Sequence, residues 1–341
     1  MTASVGSVSD SFATRLARWV PMRVYWVASQ PMVDWCYLGR ERFTDPFFDE
    51  TIERQLRLPF NLAFRHQTSL DDLIALQRSD PGLPPSGFIF HMSRCGSTLV
   101  AQMLAAMPTN LVVSEPEPLD GVLRTRQEPG VTDEQRLGWL RAMLSALARP
   151  RNGERYFYVK LDSWHVFDLP LIRRAYPDVP WIFLYREPLE VLMSHRKQAG
   201  SQMLPGTLPL DFVGLTASSV RDLSLEEYGA RVLAGFCEAA LAQPDVRGWL
   251  VNYQELPALV WTDLASHFNV SLDRAEIERM RAAAQVDAKH PAFPFVDDSA
   301  EKRRQAPESI RRLSEEFLSP LYERLEAARW SRQRAERGQL K

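Results

Sequence analysis

The sequence predicts an α/β protein: a three-layer fold with a mostly parallel central sheet of about five strands, preceded by a small α+β extension. After residue 80, apolar runs of strand length alternate with helix-like segments. This order is typical of a parallel sheet with right-handed crossovers. The apolar runs are continuous rather than alternating with polar residues, which indicates strands covered on both faces.

The first 80 residues are predicted to form the extension. Residues 1–20 look weakly ordered, and the aromatic and β-branched runs at 23–29 and 33–39 predict a hairpin or two strands. Two short helices are expected in DPFFDETIERQLR, which has an Asp-Pro start, and in SLDDLIALQ. The Pro- and Gly-rich stretch at 79–87 marks a boundary, so the main domain is predicted to span 81–335.

The main domain is predicted to follow a strand–helix order from its first residues. The expected strands are GFIFHM, NLVVSE, RYFYVKL, WIFLYRE and GWLVNYQEL. The expected helices are STLVAQMLAAM, residues 133–149, PLIRRAY, PLEVLMSHRKQ, LEEYGARVLAGFCEAAL, VWTDLASHF and SIRRLSEEFLSPLYERLE. Ligands in such folds bind at the carboxyl ends of the strands, so this edge is where a site is expected.

Composition excludes several classes of protein. The net charge of −2 gives no basic field for nucleic acid, and no apolar run approaches the ~20 residues of a membrane span. Three widely spaced cysteines fit neither a disulfide framework nor a zinc site. With no signal peptide, these features predict a cytoplasmic protein. Only five of the 41 basic residues are lysines, so a lysine at a critical position is informative.

The loop MSRCGST, residues 92–98, joins the first main strand to its helix. Backbone N–H groups at a helix start lack helical partners and, with the helix dipole, attract anions. Gly96 permits close approach of a ligand, Ser97 and Thr98 add hydroxyls, and Arg94 adds positive charge. The loop therefore predicts a P-loop-like phosphate site, although a tight turn capped by Ser97 would have the same pattern.

Polar side chains also stand at the ends of the other strands. The second strand ends at Ser114 and Glu115, the third at Lys160, and the fourth at Arg186, with Ser194 eight residues further on. Because parallel strands end at one edge of a sheet, these groups are expected to share a rim with the loop.

SRCGSTLVAQML and FLYREPLEVLMSH resemble the sulfotransferases that use 3′-phosphoadenosine 5′-phosphosulfate (PAPS), over about residues 86–260. The pattern is most similar to tyrosylprotein sulfotransferases and their bacterial relatives. The resemblance implies that PAPS is the cofactor and that 3′-phosphoadenosine 5′-phosphate (PAP) is its product. It implies that the 5′-phosphosulfate is held by Arg94, Cys95, Gly96, Ser97 and Thr98, and the 3′-phosphate by Arg186 and Ser194. Ser93 and Cys95 depart from the usual Pro and Ser of the family's loop.

The resemblance also implies catalytic roles. Glu115 is expected to be the base that takes the acceptor's proton, while Lys160 and Arg94 stabilise charge on the bridging oxygen. Glu117 and His165 are rival bases. Lys302 and Arg303 belong to a basic run that could close over the nucleotide, although a solvated charge run is the commoner meaning of such a cluster.

The predicted reaction is transfer of a sulfuryl group from PAPS, without a metal, to a hydroxyl or amine of a small, partly apolar acceptor. A P-loop kinase is an alternative, but Gly-Lys-Ser/Thr is absent from the loop and no convincing Mg²⁺ carboxylate follows a strand. A non-catalytic nucleotide-binding relative is another. The oligomeric state stays open.

Overall fold

A computed structural model of the protein describes residues 14–243 and 245–339, with side chains to residue 331. In the extension, β1 (Trp19–Val27) and β2 (Gln30–Tyr37) form the predicted antiparallel hairpin, and β3 (His66–Ser69) pairs with β2. The helices are α1 (Phe48–Leu56), α2 (Pro59–Ala63) and α3 (Leu70–Ser79), the last with a capping box on Ser69. The Asp-Pro start expected for α1 lies before its first turn.

The prediction of weak order over residues 1–20 is only partly testable, because residues 1–13 lie outside the described residues. Trp19 and Val20 already belong to β1 and are buried, so the prediction is wrong at that end. β3 was not predicted, because its sequence HQTS is short and polar. It is held on β2 partly by the Trp35 indole N–H, which donates to Thr68 Oγ1 at 3.0 Å.

Five strands form the central sheet, and every neighbouring pair is parallel, as predicted. They are β4 (Pro85–His91), β5 (Asn110–Ser114), β6 (Tyr156–Lys160), β7 (Trp181–Tyr185) and β8 (Gly248–Asn252). Their spatial order is β5-β6-β4-β7-β8. The first strand of the sheet is thus central, so the loop after β4 has β6 and β5 on one side and β7 and β8 on the other.

Helices and short turns connect the strands, most of them where the sequence predicts. They are α4 (Ser97–Ala105), α5 (Glu117–Leu123), α6 (Asp133–Leu147), α7 (Leu169–Ala175), α8 (Pro188–Lys197), α9 (Ala217–Val220), α10 (Leu225–Leu241), α11 (Ala265–His267), α12 (Arg274–Ala283), α13 (Ser299–Gln305), α14 (Glu308–Leu313) and α15 (Ser319–Gln339). The helix expected at VWTDLASHF begins with a π-type segment, Val260–Leu264, and another, Ser314–Leu318, separates α14 from α15.

The core lies on both faces of the sheet, as the continuous apolar runs require. Phe88, Ile89 and Phe90 of β4 and Ile182 and Phe183 of β7 are at most 1% exposed. Apolar burial of this kind is the main favourable term in folding. Among the described residues, no helix combines the length and apolarity needed to cross a membrane.

The extension packs directly on the main sheet domain. A Cβ added at Gly121 of α5 would lie 2.7 Å from the Cβ of Val24 on β1, so the hairpin rests on this helix. The Trp139 indole of α6 donates to Asp71 at 3.0 Å, and Arg42 donates to the carbonyl of Met107 at 2.8 Å. The boundary near residue 80 remains a prediction, because buried contacts cross it.

Candidate active site

A cleft of about 560 Å³ opens at the carboxyl edge of the sheet, where the strand ends predict a site. It lies over the loop after β4 and is bordered by residues that follow β5, β6 and β7 and by the segment 286–302. The predicted residues that line it are Arg94, Cys95, Gly96, Ser97, Thr98, Glu115, Arg186, Ser194 and Lys302. Residues from separate parts of the sequence therefore share one hollow.

The loop after β4 has an unusual backbone. Ser93, Arg94 and Gly96 have positive φ angles of 75°, 53° and 88°. At Gly96 a Cβ would stand 2.7 Å from the Tyr253 ring, so both its conformation and its contact exclude other residues. Left-handed non-glycine residues are strained and cluster at ligand sites. This geometry fits a loop shaped to hold a ligand.

The loop's side chains divide between the interior and the cleft. The Cys95 thiol donates to the Leu184 carbonyl at 3.1 Å, and burial raises its pKa to about 12. Cys95 can therefore contact a ligand through its backbone N–H group but not through its sulfur. Ser93 Oγ accepts from Gln202 Nε2 at 3.1 Å. Arg94 Nη2 donates to the Gln198 carbonyl at 2.7 Å, and burial lowers the pKa of this guanidinium.

Lys160, at the end of β6, is fully buried and contacts the Glu115 carboxylate in a close ion pair. Lys160 is therefore not a strand-end lysine that lies in solvent. Its ammonium also stands over the Phe47 ring, 4.9 Å from the centroid. Lys160 does not itself line the cleft; it contacts Glu115, which does. A buried ammonium group has lost its hydration, so such partners are needed to stabilise its charge.

Glu115 has a φ of 54° and is held from two sides. Burial raises the pKa of its carboxyl, but Lys160 and His91 outweigh burial and bring the net pKa well below its ordinary value. His91 Nε2 lies 3.3 Å from Glu115 Oε1, while His91 Nδ1 accepts from the Ser93 N–H at 3.0 Å. Burial lowers the pKa of His91, which is consistent with a neutral ring that carries its proton on Nε2.

On the β7 side, Arg186 is buried and already partnered. Its Nε donates to Glu190 at 2.6 Å, its Nη2 donates to Ser299 Oγ at 2.8 Å, and its guanidinium covers the Tyr253 ring at 4.0 Å. Ser194 lies two turns along α8 from the end of β7 and lines the same cleft. The two residues whose spacing predicts a phosphate site are therefore brought to one place.

The basic run near the C-terminus also reaches this end of the cleft. Lys302 lines the cleft and pairs with Asp298 at 2.8 Å. Arg303 lines an adjoining cavity that also contains Arg186, and it pairs with Glu190 at 3.2 Å. These residues belong to α13, which folds back over α8 rather than standing free in solvent.

His165 does not line the cleft. It is 1% exposed, and its Nε2 lies 2.9 Å from Asp120 Oδ1 on α5. Its Nδ1 faces Asp162, 3.7 Å from Oδ2, and Asp162 does line the cleft. In the part of the chain that the structure describes, these three are the one group whose donor atoms are close enough to share an ion. The imidazole faces a different carboxylate with each nitrogen: it is hydrogen-bonded to Asp120 and lies close to Asp162.

Several cleft residues were not among the predicted site residues. Phe47 and Asp49 come from the extension, Asp162 and Trp164 follow β6, and Lys289 comes from the segment after α12. In the sequence, the one signal that could have indicated Lys289 as a site residue is that lysine is rare in this chain. Burial lowers its pKa to about 8, with Arg94 and Lys160 contributing. Nothing in the local sequence around Phe47 or Asp49 indicates a site.

Glu117, the other predicted rival base, lies at the start of α5. Burial raises its pKa to about 7, and the nearby Asp49 and Asp120 charges add to this. It does not line the cleft. Asp49 does, and burial with the charges of Glu53 and Glu115 raises its pKa as well.

The architecture thus defines an α/β protein with a cleft over the loop that follows its central strand. Residues 85–208, about a third of the chain, match the sequence profile of the sulfotransferase family. The matched segment contains the loop, Glu115, Lys160, Arg186 and Ser194. The family that this segment matches is the one that its motifs resemble, which confirms that resemblance. No curated protein matches the chain.

Three solved structures are similar to parts of the chain. Sulfotransferase STF9 from Mycobacterium avium has 13% identity and a TM-score of 0.46, covering 74% of this chain and 81% of that chain. A sulfotransferase from Alicyclobacillus acidocaldarius has 18% identity and a TM-score of 0.45, covering 72% and 96%. Retinol dehydratase, in complex with androsterone and PAP, has 14% identity and a TM-score of 0.30, covering 78% and 86%. Such low scores assign neither fold nor substrate here.

Proposed function

We propose that the protein transfers a sulfuryl group from PAPS to a hydroxyl or amine of a small acceptor. One observation carries this proposal. The loop residues 94–98, Arg186 and Ser194 come from three places in the matched segment and line a single cleft. The loop could hold one phosphate group, and Arg186 and Ser194, which lie apart from the loop, could hold another. This arrangement suits a nucleotide that has two separate phosphate groups.

The strand order distinguishes two ends of the cleft, one beside β7 and one beside β5 and β6. The 5′-phosphosulfate would lie on the loop after β4, and the 3′-phosphate would lie toward β7, at Arg186 and Ser194. Lys302 and Arg303 would border that nucleotide end. The acceptor would then enter from the β5–β6 side, where Glu115, Asp162, Phe47 and Trp164 lie. The aromatic rings support an acceptor that is partly apolar.

Transfer requires charge stabilisation as the bridging S–O bond breaks. Arg94 and the loop N–H groups line the cleft at this point, and the Lys160 ammonium lies behind Glu115 as a second positive charge. Glu115 remains the predicted base, although its lowered pKa makes its carboxylate a weak one. Its contact with Lys160 equally supports a role in holding that ammonium in place.

No metal is assigned to this reaction, because arginine and lysine supply positive charge to the anion. A P-loop kinase is the second candidate, favoured only by the shared sheet and cradle. It would need Mg²⁺ beside the transferred phosphate. The loop after β4 also lacks the Gly-Lys-Ser/Thr sequence of that class. A cytoplasmic location stays a prediction; the described cysteines are free and buried.

The test compares PAP with ATP–Mg²⁺ as ligands of the purified protein. We expect PAP to raise the melting temperature, because a ligand that binds only the folded state stabilises it. ATP–Mg²⁺ should have little effect. Transfer of ³⁵S from labelled PAPS, in the presence of EDTA, to a panel of hydroxyl and amine acceptors then tests catalysis. Stabilisation by ATP–Mg²⁺ alone would favour the kinase, and PAP binding without any ³⁵S release would favour a non-catalytic relative.

A further inference from the structure

The chain of Asp162, His165 and Asp120 adjoins the acceptor side of the cleft, and the proposed roles above leave it without a function. Asp162 stands two residues beyond Lys160, and 12% of its side chain is exposed, at the cleft. His165 behind it is 1% exposed. Asp120, on α5, completes the chain at 2.9 Å from the imidazole. A buried histidine between two carboxylates is costly unless the arrangement is specifically maintained.

The chain is fixed at each member. Asp120 accepts from the Trp164 indole at 2.7 Å and from Arg124, and its remaining contact is the His165 Nε2–H. In a neutral ring, His165 Nδ1 accepts from the Asp162 backbone N–H at 3.3 Å. In a charged ring, Nδ1 carries a proton and faces Asp162 Oδ2, 3.7 Å away. The His165 backbone N–H donates to the Asp162 carbonyl at 3.0 Å, and Asp162 is the N-cap residue of the short helix Ser163–Asp168. The position of Asp162 is therefore fixed through its backbone, with the His165 ring behind its carboxylate.

We propose that Asp162 is the general base of the transfer and that His165 and Asp120 position it. This inference rests on the proposed sulfuryl transfer. Asp162 is the catalytic residue, since its carboxylate borders the space where the acceptor would lie. His165 and Asp120 are positioning residues, because they act only through Asp162.

The reaction balances with Asp162 in this role. The acceptor O–H or N–H gives its proton to the Asp162 carboxylate as the acceptor atom forms a bond to sulfur. The bond between sulfur and the bridging oxygen breaks, and its electron pair leaves with PAP. Arg94 and the loop N–H groups offset the charge on that phosphate. Asp162 then releases the proton to solvent, and no further reactant is needed.

Electrostatics favours Asp162 over Glu115 as the proton acceptor. Burial raises the pKa of Asp162 to about 7, with Glu115 and Asp120 adding to the rise and His165 and Lys160 opposing it. Asp49, on α1, is a further carboxyl group that lines the cleft. A base is most effective when its pKa lies near the working pH. Glu115, with its pKa held low by Lys160 against burial, has little affinity for a proton.

His165 is charged more readily than an isolated histidine. Burial lowers its pKa, but the hydrogen bond to Asp120 and the charges of Asp162 and Asp168 outweigh burial, so the net pKa is raised. A positive imidazole keeps the neighbouring Asp162 ionised at a lower pH than burial alone would allow. This gives the ring a measurable effect on the base that a purely structural contact would not have.

The experiment measures ³⁵S-sulfate release from labelled PAPS with water as the acceptor, because water must lose a proton as an alcohol does. The variants are Asp162→Asn, Glu115→Gln and His165→Gln, and Asn retains the ability of Asp162 to cap the helix. We expect Asp162→Asn to lower the rate ~10²–10⁴-fold with PAP affinity unchanged. The wild-type rate should rise with pH through about 7, and this rise should disappear in the variant.

Two further measurements keep the test decisive if Asp162→Asn folds poorly. Formate should restore part of the rate of Asp162→Ala, because it can occupy the space of the missing carboxylate. His165→Gln should move the acid limb of the pH profile to higher pH, since the charge that lowers the pKa of Asp162 is removed.

Particular results would overturn the inference. One is an Asp162→Asn variant with wild-type rate and pH profile. Another is loss of the acid limb in Glu115→Gln alone, which would return the role to Glu115. Failure of the proposed function would look different: the wild-type protein would neither bind PAP nor release sulfate.

Discussion

The two ends of the cleft use charge in different ways. At the β7 end, cations are paired with carboxylates: Arg186 and Arg303 with Glu190, and Lys302 with Asp298. At the β5–β6 end, carboxylates predominate, and their pKa values are shifted in both directions. That of Glu115 is lowered, and those of Asp49 and Asp162 are raised. The first arrangement suits binding of a phosphate, and the second suits proton transfer.

This difference predicts which variants should change PAP affinity and which should change turnover. Changes at the β7 end should alter PAP affinity, because they remove contacts that bound nucleotide would make in ground and transition states alike. Changes at the β5–β6 end should alter turnover, because charge and protons move there only during reaction. A variant at the β7 end that alters only turnover, or one at the β5–β6 end that alters only PAP affinity, would contradict this division.

After the effect proposed for Asp162, the largest effect is expected at Lys160. Lys160→Ala should lower turnover ~10²–10³-fold while PAP affinity changes little, because its charge is needed mainly as the leaving group forms. The measurement is single-turnover ³⁵S transfer together with PAP titration. The change also leaves Glu115 without its ion-pair partner, so some loss of stability is expected.

A double variant separates charge from packing at this pair. Lys160→Met with Glu115→Gln removes both charges and should recover much of the stability that Lys160→Ala loses. Its turnover should stay low. Recovery of turnover together with stability would show that Lys160 acts only in folding.

The next effect is expected at Arg186. Arg186→Ala should weaken PAP binding about ten- to a hundredfold, the equivalent of losing ~1.5–3 kcal/mol of charge-assisted hydrogen bonding. Turnover at saturating PAPS should fall much less. Arg196→Ala, at an exposed arginine on α8, the helix that follows Arg186, is the matched control and should leave PAP affinity unchanged. Equal PAP affinity of Arg186→Ala and wild type would remove the nucleotide assignment.

A smaller effect should appear in stability as a function of pH. The folded-state pKa of Asp162 is raised to about 7, above its unfolded value, so ionisation of its buried carboxyl destabilises the fold as pH rises through 7. Asp162→Asn should therefore gain melting temperature relative to wild type above pH 7 and not under acidic conditions. Glu115→Gln should show the opposite trend, because the folded-state pKa of Glu115 is lowered. Thermal unfolding across pH measures both.

The smallest effect concerns Lys289. Since burial lowers its pKa to about 8, it should react several-fold faster with acetic anhydride than exposed Lys197 at mildly alkaline pH. PAP should protect it, because it lines the same cleft as Arg94. Mass spectrometry of peptides from treated protein gives both rates. Equal rates for the two lysines would mean that Lys289 is not held in the cleft in solution.

The sequence was sufficient for the central sheet and much of the cleft. Continuous apolar runs identify the five strands, and the edge on which parallel strands end brings Glu115, Arg186 and the loop together. The four polar residues of β3 were missed, because their place in a sheet depends on contacts with β2 and not on their own propensity.

Other parts of the site depend on contacts that no local pattern records. Phe47 and Lys289 are separated in sequence by most of the chain, yet both border the cleft. His165 was a reasonable candidate base on residue type, but it lies behind Asp162, which lines the cleft, and contacts Asp120 on its other side. Which carboxyl group carries a proton depends on its neighbours in space.

The position of the Phe47 ring indicates that the first 80 residues are needed to complete the cleft. It stands within 4.9 Å of the Lys160 ammonium and 5.5 Å of that of Lys289, and it comes from the first 80 residues. A shortened polypeptide that starts at residue 81 would keep every signature motif yet leave both ammonium groups open to water. Grafting the matched segment into another scaffold would likewise transfer the loop after β4 without the aromatic ring that covers the Lys160 ammonium.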